Sequence, residues 1–167
     1  MDREQITIVS LWVHVPFIIT WIGLVMLDAF ALFAPGVADD QRRHMLQWSR
    51  RFVLLAIPVI MVTGIWQTME NPFLRVDSFS RLELLRQRTL YGDLLFWKHG
   101  FVLLTFGLTV LVRFVLAPRW GLVLATEAGR IESMTGMERL LKLASLLNLG
   151  ACAGAVLLAT RMVLELH

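Results

Sequence analysis

Apolar residues in this chain run rather than alternate. Four stretches, about 6–34, 52–69, 91–117 and 140–164, are nearly continuous in aliphatic and aromatic residues, with Pro35-Gly36 closing the first and Pro118 following the third. A helix rises about 1.5 Å per residue, so about 20 such residues cross a hydrocarbon core of roughly 30 Å. The pattern predicts four membrane-spanning helices: an all-α, integral membrane four-helix bundle, one domain over residues 1–167, with the lipid bilayer as its first partner. A signal peptide is the rival reading of the first stretch. That stretch is too long, contains Asp28 and ends in Pro35, so it is expected to be retained.

Between the second and third runs the pattern changes. Ser80-Arg81-Leu82-Glu83 fits a capping box, and Phe79, Leu82 and Leu85 interleave with Arg81, Arg86 and Arg88 at near-helical spacing. This predicts a short interfacial helix. Residues 119–139, with Gly121, Gly129, Gly136 and mixed charge, read as a solvated connector.

Four spans put both termini and the 70–90 loop on one side. That side carries Arg3, Arg75, Arg81, Arg86 and Arg88; the other carries Arg42, Arg43, Arg50, Arg51, Arg119, Arg130, Arg139 and Lys142. The richer side is expected inside, which makes both termini periplasmic in a bacterial inner membrane.

Composition narrows the classes. The chain is 57% hydrophobic and 17% charged, with a mean hydropathy of +0.66. That excludes a water-soluble enzyme, a disordered tail and a coiled-coil rod. One cysteine excludes a disulfide framework and a Cys-rich zinc site. The net charge of +3 does not imply nucleic acid, because the arginines flank apolar runs.

Ionisable groups inside spans are costly and therefore candidate functional residues. They are His14 and Asp28 in the first run, Lys98, His99 and Arg113 in the third, and Arg161 in the fourth. His14, Lys98 and His99 each lie about 11 to 12 Å from the outer ends of their helices. The heptad-spaced series His14, Trp21, Asp28 and His99, Phe106, Arg113 each share one helix face. Facing each other, they would stack an outer His/His/Lys layer, a middle Trp/Phe layer and an inner Asp28–Arg113 pair. Small residues such as Gly64, Gly107, Gly150 and Gly154 allow close helix approach, and Thr63 and Asn148 are candidate interhelical hydrogen-bond partners. Each residue also has a simpler reading. The two histidines could bond separate carbonyls, Lys98 could snorkel, Cys152 could only pack, and Arg161 could hold a lipid headgroup.

Several segments together resemble the CopD-type copper resistance proteins. They are His14-Val-Pro-Phe-Ile-Ile-Thr-Trp21-Ile-Gly23, Trp48-Ser-Arg-Arg51-Phe, the Val62-Thr63-Gly64-Ile65 turn region, Tyr91-Gly92-Asp-Leu-Leu-Phe-Trp-Lys98, and Val112-Arg113 before Pro118. The resemblance covers residues 8–164. It implies an inner-membrane bundle in copper uptake or tolerance, working beside a periplasmic copper-binding partner. The pattern is also similar to the HemJ-type protoporphyrinogen oxidases, in which a first-helix His and a third-helix Lys, at His14 and Lys98 here, are linked to haem b. Two departures stand out. His99 directly follows the Lys, and the chain lacks long Met/His-rich outer segments.

The leading expectation is copper handling, with His14 and His99 as metal ligands, joined by Met69 or Met162. The alternative is a haem b protein, either HemJ-like or an electron-transfer subunit of a larger membrane complex. There His14, His99 or Lys98 would be axial or near-axial, and Arg161 or Arg88 would pair with propionates. A structural accessory subunit is the third reading.

Overall fold

The computed structural model describes residues 2–70, 76, 78–125 and 131–165, and the side chains of all of these except 123–125 and 131–134. The elements are α1 (Arg3–Phe33), α2 (Asp39–Trp48), α3 (Arg50–Met69), α4 (Phe79–Arg88), α5 (Leu90–Val110), a π-helical segment (Leu111–Leu116), α6 (Ala117–Ala125) and α7 (Ile131–Leu164). No strand occurs among the described residues. Four helical stretches, Arg3–Phe33, Asp39–Met69, Leu90–Leu122 and Thr135–Leu164, are long and apolar enough to cross a membrane. That is the makeup of a multi-pass membrane protein.

The helices overrun their expected bounds at the end of the bundle opposite the termini. Ser49 makes only a break between α2 and α3, so the second span begins ten residues before Ser49, at Asp39. The 119–139 connector is largely helical instead of a solvated loop: Gly121 lies in α6 and Gly136 in α7. Burial explains this, since Trp120, Leu116, Leu141 and Ala144 form a core with Leu32 and Leu46. Pro118 does not end the third helix. It falls in the first turn of α6, where its missing N–H is tolerated, directly after the π segment has shifted the hydrogen-bond pairing. The Val62-Thr63-Gly64-Ile65 stretch is not a turn but mid-helix in α3. Arg75, Gly129 and Arg130 lie outside the described residues.

Between the second and third spans lies the ten-residue helix α4, capped two residues before the capping-box serine: Ser78 Oγ accepts from Arg81 N at 3.3 Å. Thr89 caps α5, accepting from Gly92 N at 3.0 Å. A β-carbon at Gly92 would collide with the Leu85 carbonyl oxygen, so the α4–α5 corner requires glycine there. Arg86 covers the corner, bonding Asp93 at 3.4 Å and lying over the Phe96 ring at 4.3 Å.

Packing is antiparallel along α5 and α7, whose closest pairings are Leu94 and Leu95 with Met162, Phe101 with Gly154, and Thr109 with Asn148. α1 packs on α3 and on α7, while α3 and α5 do not pack extensively. The bundle is therefore closed on the α1–α7 side and parted between α3 and α5.

Candidate functional site

The three expected layers are present in the order the sequence implied. In the middle, Trp21 and Phe106 meet edge to face with centroids 4.9 Å apart. In the inner half, Arg113 Nε and Nη2 hold the two carboxylate oxygens of Asp28 at 3.0 and 2.7 Å. Arg113 is fully buried and Asp28 is 4% exposed. This two-bond fork is the geometry that offsets removing both charges from water.

The outer layer is a cavity of about 410 Å³ walled by α1, α3, α5 and α7, within the usual range of ligand sites. Its wall is mainly apolar, with His14, Lys98 and His99 all on it. On its rim, Ile65 of α3 and Leu103 of α5 are each about half exposed, flanking the gap between those helices.

Both imidazoles are oriented through one nitrogen. His99 Nδ1 lies 2.7 Å from Leu95 O; a carbonyl only accepts, so Nδ1 carries the proton. His14 Nδ1 lies 2.7 Å from Thr63 Oγ1. The Thr63 hydroxyl donates to Val59 O at 2.6 Å, so it accepts from His14, whose Nδ1 is likewise protonated. In each neutral ring the Nε2 lone pair has no partner among the described residues, the arrangement that prepares histidine as a ligand. Gly64 provides the room, since a β-carbon there would lie 3.2 Å from His14 Cε1.

Lys98 forms no ion pair among the described residues. It is a cation on a largely apolar wall, where desolvation is costly without a partner. Arg161 is not brought to the cavity; it is exposed near the end of α7, although its neighbour Met162 lines the wall. Arg88 is exposed at the end of α4. Met69 is not on the wall, whereas Met61 and Cys152 are. Among the described residues no three His, Cys, Asp or Glu side chains group as a metal site.

Thr63 and Gly64, expected as an interhelical hydrogen-bond partner and a close-approach residue, are both engaged by His14, a pairing that the sequence reading did not make. The signal was present. Thr63 lies six residues from the outer end of α3, about 9 Å deep, at nearly the depth of His14 on the antiparallel α1.

No family model matches the chain, and neither a curated protein nor a solved structure does.

Proposed function

We propose that this chain is a haem b-binding protein of the bacterial inner membrane, with its cofactor in the outer half of the bundle. One observation carries the reading: two imidazoles with Nδ1–H groups committed to Thr63 and Leu95 stand on the wall of one apolar cavity, beside a lysine with no carboxylate partner among the described residues. His14 and His99 would hold the haem iron, and Lys98 would pair with an anionic edge such as a propionate. Bound haem supplies one-electron chemistry. The chain's own contribution is ligand orientation, an apolar wall and a positive charge. The parted α3–α5 edge suits cofactor entry or contact with a subunit of a larger membrane complex. Arg161 and Arg88, both exposed, are not assigned to the propionates.

In this reading the termini face the periplasm, because the other side is richer in Lys and Arg. α4, with Phe79 exposed and Arg81, Arg86 and Arg88 along it, lies in the periplasmic interface.

Copper handling beside a periplasmic copper-binding protein is the second reading, favoured by Met61 and Met162 on the same wall as the imidazoles. The charge of Lys98 separates the two. Lys98→Met removes a charge-assisted contact of about 1.5–3 kcal/mol, so haem retention falls roughly 10- to 100-fold. A copper site would instead keep or gain affinity, since a neighbouring cation opposes a bound cation. Undiminished haem loading in Lys98→Met contradicts the role given to Lys98.

A further inference from the structure

Beneath the cavity, the inner half of the bundle holds buried polar atoms with no hydrogen-bond partner among the described residues. Arg113 spends Nε and Nη2 on Asp28, yet its Nη1 is buried without a partner. On α7, Asn148 donates from Nδ2 to Thr109 Oγ1 at 2.9 Å, while its Oδ1 is buried and unpaired. Flipping the amide exchanges which end is free and still leaves one. Ser145 Oγ is a third such atom. All three side chains are at most 2% exposed.

Helix register places them within about 6 Å of one another along the axes. The Thr109–Asn148 contact aligns the antiparallel helices; from it, Arg113 lies four residues inward on one side and Ser145 three residues inward on the other, about 6 and 4.5 Å along the axes. The π segment that carries Arg113 packs directly on α7. Three unmatched polar atoms on two facing elements, within about 6 Å of one another along the axes, point to a shared partner, because buried polar groups are almost always hydrogen-bonded.

The partner's chemistry follows from what is missing. Asp28 already matches the charge of Arg113, so an ion would be uncompensated there. The layer offers a donor, an acceptor and a hydroxyl that can be either, which calls for a small neutral molecule that both donates and accepts. We infer that the inner half of the bundle binds water: at least one molecule seated between the π segment and α7, accepting from Arg113 Nη1, donating to Asn148 Oδ1 and sharing a hydrogen bond with Ser145 Oγ. Buried waters of this kind make about three hydrogen bonds. This inference is independent of what fills the cavity above.

Ser145→Ala tests the sign. In a dry layer, deleting an unpaired buried hydroxyl leaves the melting temperature unchanged or raises it; in a hydrated layer the water loses a partner and the melting temperature falls by roughly 2–4 °C. The companion measurement is a structure of the full chain in lipid nanodiscs that resolves ordered water, with density expected within hydrogen-bonding distance of Arg113 Nη1. An unchanged or raised melting temperature overturns the inference. So does a map that shows water elsewhere in the bundle and none at this layer.

Discussion

Asp28→Leu is the perturbation whose outcome the geometry fixes most tightly. The Asp28 carboxylate takes two hydrogen bonds from Arg113, at 3.0 and 2.7 Å, with Arg113 wholly removed from solvent. Deleting the aspartate leaves a guanidinium without a counter-charge inside the bundle, and breaking such a pair costs about 3–5 kcal/mol. For a chain of this length each kcal/mol shifts the melting temperature by roughly 2–4 °C, so a fall of about 6–20 °C is expected. Arg113→Met in the same background removes the stranded charge and restores apolar packing beside Val112 and Leu116. The double variant should recover most of the loss and melt within a few degrees of the wild type. The assay is thermal unfolding of the detergent-purified protein, run as a complete double-mutant cycle. An Asp28→Leu protein melting within about 2 °C of wild type, or a double variant that loses the sum of the two single losses, would refute the argument that this is a desolvated, mutually dependent pair.

Two further outcomes follow from the same reasoning. Thr63→Val keeps the shape at α3 and removes the acceptor for His14 Nδ1–H; the ring loses its orientation and ligand loading drops about 10- to 100-fold, measured as bound cofactor per protein after purification. For topology, Ser78→Cys in the α4 loop should be labelled by a membrane-impermeant thiol reagent in intact cells and Gln41→Cys in α2 should not, Cys152 being buried; the opposite pattern reverses the orientation.

How much of this was legible in the sequence varies with the kind of signal. Uninterrupted apolar runs mark spans because lipid imposes helix on every backbone group, and the seven-residue spacing of His14, Trp21 and Asp28 against His99, Phe106 and Arg113 registered two helices through to the Trp21–Phe106 and Asp28–Arg113 contacts. Helix ends were less legible. Proline and glycine read as stops at Pro118, Gly121 and Gly136, but a π segment and burial of Trp120 carry the helices past them. The α4 cap fell at Ser78 rather than Ser80: Ser78 Oγ takes the Arg81 N–H, although Arg81 stands where a capping box has Glu or Gln. Within the site, depth along each helix brought His14, Lys98 and His99 to one cavity, whereas the tautomers rest on Thr63 and Leu95, whose roles are set by side-chain and carbonyl directions that spacing does not carry. Arg161 shows the converse: its depth resembled that of a site residue, and its helix face turns it outward.

The most direct test of the central claim is the visible and electron paramagnetic resonance spectrum of the detergent-purified full chain, expressed with haem supplied, beside His14→Ala and His99→Ala. The account predicts a Soret band with sharp reduced α and β bands, a low-spin ferric signal of two imidazole ligands, and loss of that signal in each single variant while the protein still inserts and stays monodisperse. A colourless wild-type protein that carries stoichiometric copper, or a haem signal unchanged in either histidine variant, would contradict it.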